Sequence, residues 1–208
     1  MRRGAAAWAH GRPIAHLLKA DKAVKPPVYI CFVHLSNRNR QKEVYMLLKI
    51  TRFVNLSLMG LGTGVSFSHL LQWKRKAELP GEVFVRVQKT LYKDYGPTGA
   101  IMEPGELLST LATLALLRKR RKAALHTSAA LLTVLAKFPV WALFIRPINE
   151  QMLGWTEDSF PPNWEELRGR WHRLHLLRFV LSAAGTSALL ACSLADTLTA
   201  SRASGHRK

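Results

Sequence analysis

Positions 53–73 run for 21 residues without a single Asp, Glu, Lys or Arg, in a chain of 208 residues that carries a formal charge of +18. A segment so depleted of charge is long enough to cross the roughly 30 Å hydrocarbon core of a bilayer as a helix, the open-ended conformation that satisfies every backbone N–H and C=O within itself. The excess of 31 Lys and Arg over 13 Asp and Glu is therefore read by its location. Positions 1–52 hold eleven basic residues and two acids, Asp21 and Glu43, so the charge is segregated from the apolar runs as in a membrane protein. A hydrophobic content of 48% and a mean hydropathy of -0.01 exclude a disordered basic tail. The two cysteines, Cys31 and Cys192, are too far apart in sequence to suggest a CxxC metal or redox motif.

Four stretches are long and apolar enough to span: 51–72, 97–117, 123–145 and 174–195. The second opens at Gly96-Pro97, where proline suits a first helical turn, and stops at the basic run of positions 118–122. Between the first two spans, Val83, Phe84, Val87 and Leu91 mark a helical apolar face, which predicts a helix lying at the interface or capping the bundle. Positions 146–173, with Pro147, Pro161, Pro162, three tryptophans and five acids, read as an ordered interfacial loop. The fold class is all-α: a four-transmembrane-helix bundle (46–195) with that interfacial helix, a disordered basic N-terminal arm (1–45) and a short basic C-terminal tail (196–208). An arm so rich in Arg, Ala and Lys also fits a transit peptide or an upstream start, Met46 being a credible first residue. An even number of spans places both termini on one side. The arm, the 118–122 turn and the tail make that side cytosolic or matrix, against six basic residues at 74–95 on the other.

Ionisable groups inside a span cost at least about 2.5 kcal/mol at mid-depth, so they face the bundle interior and carry pairing or function. Asn55, Met59, Gly62, Ser66, His69 and Trp73 share one face of the first helix, beside a small-residue stripe of Gly60, Gly64 and Ser68 expected to admit a close neighbour. The second helix aligns Glu103, Glu106, Thr110 and Thr113. His126, Ala130, Thr133, Lys137 and Trp141 align on the third, and Arg168, Trp171, His175, Arg178 and Ser182 on the fourth. With consecutive spans antiparallel, His69, Glu103, Lys137, His175 and Arg178 fall in one leaflet and could line one water-poor cavity.

The competing reading is structural: Glu103 or Glu106 neutralises Arg178 or Lys137, and Trp141, Trp155, Trp164 and Trp171 form an aromatic belt. A metal site from His69, His175, Glu103 and Glu106 has no ExxH or HxxxH spacing behind it, and the basic arm lacks the aromatic interleaving of a nucleic-acid module, so the partner expected from the residues is the lipid bilayer; a hydrophobic polycyclic small molecule is added only by the resemblance that follows.

A small-residue stretch leading to His69, then Arg146-Pro-Ile-Asn149 followed by Trp155, then Asn163-Trp164 through Arg168, Arg170-Trp171, His175 and Arg178, resembles the anthrone-oxygenase-like family of small four-helix membrane proteins, over about 46–194. The resemblance implies an oxygenase that needs neither metal nor flavin and converts anthrones to anthraquinones with molecular oxygen. A base, oxyanion donors and a dry pocket suffice for that chemistry. The candidates are His69 or His175 as base, with Glu103 orienting a histidine or itself the base. Lys137 or Arg178 would stabilise the oxygens, and Trp141, Asn149, Trp155, Trp164, Arg168 and Trp171 would contact substrate. The alternative function is a non-catalytic membrane scaffold or assembly protein.

Overall fold

The computed structural model describes residues 27–205, with side chains from 38 to 195. Contacts divide the chain into a unit ending at Glu43 and a unit Val44–Lys208, and the packing described below lies within the second. Among the described residues the chain is helical and strandless, apart from an isolated bridge between Thr156 and Ser159. The elements are α1 (Pro27–Ala77), α2 (Gly81–Leu91), α3 (Tyr95–Leu117), α4 (Arg121–Pro139), a π-helical segment (Val140–Ile145), α5 (Arg146–Gly154) and α6 (Trp164–Gly205). Four helical stretches are long and apolar enough to cross a membrane, 38–77, 95–117, 121–154 and 164–195, and the chain is an integral membrane protein. Exposed Phe53, Leu61, Ile101, Leu108, Leu132 and Leu143 form the apolar exterior expected of such helices.

Two expectations change. The arm read as disordered over 1–45 lies outside the described residues only as far as 26; from Pro27 onward the chain is helical. Extending a helix already nucleated by the apolar span fixes one residue per added hydrogen bond, and the Arg, Gln, Lys and Glu residues of 38–43 are good helix formers. The connection read as 146–173 is likewise shorter. Pro147 directly follows the π segment, whose wider turn is seen in Arg146 N–H donating to the Trp141 carbonyl; the third helix runs on through that segment to Gly154 and the true link is 155–163.

Three apolar clusters stack along the bundle. Leu48, Leu117, Ala123 and Cys192 occupy one end; Met59, Ala130, Val134 and Leu189 the middle; Phe84, Val85, Ile145, Ile148, Met152, Trp155 and Trp171 the other end. The helix expected between spans one and two is α2, which caps this last cluster with Phe84 and Val85 rather than with Val87 and Leu91. Gly81 is buried against the Phe160 ring, leaving no room for a Cβ, and Arg86 pairs with Glu157, tying α2 to the 155–163 link. That hydrogen bond holds the Glu157 carboxyl below the usual carboxylate range. Close approach elsewhere does not use the expected stripe. Gly60 and Gly64 are exposed with nothing near them, whereas a Cβ on Gly62 would overlap Glu106 Oε1 and one on Gly185 would overlap Thr133 Oγ1.

Candidate functional site

The shared faces of α1, α3, α4 and α6 turn inward together and build a polar column. At its inner end, buried Asn55 accepts hydrogen bonds from Thr110 Oγ1 (2.9 Å) and Ser109 Oγ (3.3 Å). Asn55 thus joins α1 to α3 and is buried. Next, Lys137 of α4 is ion-paired with Glu106 of α3, the two side chains 4% and 1% exposed. One turn further out on α3, Glu103 is ion-paired with Arg178 of α6, at 30% and 12% exposure.

Beyond this second pair the column becomes aromatic. The His69 and His175 rings stack at 3.9 Å between centroids, and Trp171 meets them at 5.2 and 4.2 Å. Tyr92 and Tyr95, on the link between α2 and α3 and at the start of α3, cover His69 at 5.3 and 5.0 Å. Trp171 is held in orientation by donating from Nε1 to Asn149 Oδ1 (2.8 Å), which gives the Pro-x-Asn element of α5 a structural reason. Tyr95 OH bonds Ser68 Oγ (3.0 Å), and Tyr92 OH donates to Gln72. Burial, then the neighbouring Tyr95, holds the Tyr92 phenol well above its usual range, so it stays a donor.

At the outermost level Lys76 is buried, with Nζ 3.3 Å from the Tyr92 ring centroid and 5.5 Å from that of Trp171, and donates to Gln88 Oε1 (2.8 Å). Arg168 lies over Trp164 at 4.4 Å and donates to the carbonyl oxygens of Lys76 (3.2 Å) and Leu79 (2.8 Å), fastening the end of α1 to α6. Buried His172 faces Trp73 at 5.8 Å.

Of the residues expected at a site, His69, His175 and Trp171 are in direct contact. Arg178 is three residues along α6 from His175, and its acidic partner is Glu103; Glu103 therefore holds a guanidinium and not an imidazole. Lys137 is engaged by Glu106. Asn149 contacts the site through Trp171, Trp155 is buried in the capping cluster, and Trp141 and Trp164 pack on the flank of that cluster, Trp164 also under the Arg168 guanidinium. Lys76, Tyr92 and Tyr95 were not expected there. The signal for Lys76 was available, since 69, 73 and 76 continue the α1 row at intervals of four and three. Among the described residues six buried side-chain atoms, all in this column, lack a hydrogen-bond partner: Asn55 Nδ2, His69 Nδ1, His172 Nε2, His175 Nε2, Arg178 Nε and Ser182 Oγ. Among the described residues no three His, Cys, Asp or Glu side chains are grouped so as to hold a metal ion.

Residues 97–188 match the anthrone oxygenase family model. The match is consistent with the resemblance and covers α3 to the middle of α6, with Glu103, Glu106, Lys137, Asn149, Trp171, His175 and Arg178 inside it, while the small-residue stretch leading to His69 lies outside. His69, Lys76, Tyr92 and Tyr95 lie outside the part shared with the anthrone oxygenase family model. No curated protein and no solved structure matches the chain.

Proposed function

We propose that this membrane protein is a cofactor-independent oxygenase acting on anthrone-like or other polycyclic phenolic substrates. The observation that carries the reading is the coincidence, in one buried place, of two stacked imidazoles with unpartnered nitrogens and a guanidinium with an unpartnered Nε, three residues along the same helix. Unsatisfied buried polar atoms are costly, and a site built to receive a polar substrate has a reason to keep them.

The chemistry needs no more than these groups. His69 or His175 removes a proton from the acidic CH2 of the anthrone, giving a carbanion stabilised as its enolate, whose oxygen receives a hydrogen bond from Arg178. The carbanion adds to molecular oxygen, forming a carbon–oxygen bond, and the peroxide takes up a proton. Loss of the second CH proton with cleavage of the O–O bond releases water, so that one anthrone and one dioxygen yield one quinone and one water. Glu103 holds Arg178 in place, and Trp171 offers a ring face to the polycycle. Placing both termini on the cytosolic or matrix side, as the basic arm and the 118–122 turn suggest, puts the aromatic rim at the opposite face.

The scaffold reading keeps one observation in its favour, that both carboxylates of α3 are ion-paired with a cation of another helix. The two readings part in a simple assay. Purified protein in detergent, given a hydroxylated anthrone, should consume one dioxygen per quinone formed; a rate equal to that of empty detergent would leave the scaffold.

A further inference from the structure

The outer end of the column holds two buried basic side chains whose direct hydrogen-bond and ring partners include no carboxylate, Glu165 acting on Arg168 only at longer range. Lys76 is 4% exposed, and its hydrogen-bond and ring partners are Gln88, Tyr92 and Trp171, none of them acidic. Arg168, 8% exposed, is engaged by carbonyl oxygens and the Trp164 face. His172, 3% exposed, leaves its Nε2 without a partner. The contrast with the two inner cations is chemical, since Lys137 and Arg178 each have a carboxylate. Burying an ammonium is tolerated when a counter-charge arrives, and an ammonium held by one amide oxygen and a ring face has donor capacity to spare.

We infer that Lys76, with His172 beside it, is an anion-binding subsite for a carboxylate carried on a polycyclic aromatic ligand. The ring part of the ligand follows from the neighbours. Trp171 touches both Lys76 and the His69–His175 pair, and Tyr92 touches both Lys76 and His69. Along α1 the seven residues from His69 to Lys76 rise about 10.5 Å, comparable to the long axis of a linear tricycle. A carboxylate at Lys76 therefore lays a flat ring system along Tyr92 and Trp171 with its far end at the imidazoles. The inference rests on the oxygenase reading for the identity of the reacting end, but the subsite itself is a matter of binding.

The test uses redox-inert ligands and the full chain in detergent. Anthraquinone-2-carboxylate and its neutral carboxamide are titrated against wild type, Lys76→Met and Lys76→Gln, following tryptophan fluorescence, with circular dichroism as the check on folding. Wild type should bind the carboxylate at least about tenfold more tightly than the amide, as a charge-assisted hydrogen bond in a buried site provides, and the two variants should bind both ligands alike. Equal affinities in wild type, a preference that survives in both variants, or no binding of either ligand would overturn the subsite. The wild-type comparison decides even if neither variant folds. A Lys76-dependent rise in melting temperature with phosphatidylglycerol vesicles or inorganic phosphate, without carboxylate binding, would assign the charge to a lipid phosphate and overturn it too. Failure of the oxygenase reading looks different: no oxygen uptake with any anthrone while the carboxylate preference stands.

Discussion

Two acidic residues one turn apart on α3 meet two different fates. Glu106 and Lys137 are sealed in mid-bundle, with Gly62 of α1 pressed against the carboxylate. Glu103 and Arg178 lie a turn nearer the rim, part-exposed, with an unpartnered guanidinium nitrogen and two imidazoles beyond. The inner pair is closed, each charge fully used by the other. The outer pair is open, one charge holding the other with a donor left over. A buried ion pair is thus not by itself a functional mark; the partial exposure of the outer pair and the stacked imidazoles beyond it are what distinguish it from a clamp.

Breaking the clamp should have the largest effect. Glu106→Ala leaves the Lys137 ammonium uncompensated in the membrane interior and should destabilise the bundle by about 3–5 kcal/mol, measured by unfolding in detergent; combining Glu106→Leu with Lys137→Met should recover most of that loss. Glu103→Gln, at a pair that solvent partly screens, should cost about 1 kcal/mol or less in the same experiment, and equal losses at both positions would erase the distinction. The comparison sharpens at glycine. Gly62→Ala forces a methyl onto Glu106 Oε1 and should cost about 1–3 kcal/mol, while Gly60→Ala, facing open space two residues away, should be neutral or slightly stabilising.

The smallest effect belongs to the exposed tie outside the column. The Glu157 carboxyl is depressed by its hydrogen bond to Arg86, so its contribution is present above the ordinary carboxylate value and is lost as pH falls through the folded one. The small melting difference between wild type and Glu157→Gln at pH 7 should close as pH drops below 4.5, the value of a free carboxyl.

Much of this column was legible as spacing. The intervals of three and four on α1, α3 and α6 named the buried faces that hold Asn55, His69, Glu106, Thr110, Trp171 and Ser182, because a lipid-facing polar residue is too costly to be common. Partner choice was less legible. Whether Glu103 meets an imidazole or Arg178 depends on the rotation of α3 against α6, which periodicity leaves free. Gly60 and Gly64 have the spacing of a packing motif, yet the motif cannot say which neighbouring stripe, theirs or that of Gly62, receives the other helix. Lys76 was assigned to the loop charges because it follows Lys74 and Arg75, although the row through His69 and Trp73 points it inward. The continuation of the third helix past Pro147 was hidden because a π segment leaves no mark in one sequence, where the proline that follows it reads as a breaker.

The most direct measurement is oxygen uptake with a hydroxylated anthrone by wild type, His69→Ala and His175→Ala, each shown to be folded in detergent. If the stacked imidazoles supply the base, at least one substitution lowers the rate by about a hundredfold or more while the melting temperature stays near that of wild type. Wild-type rates in both folded variants would contradict it.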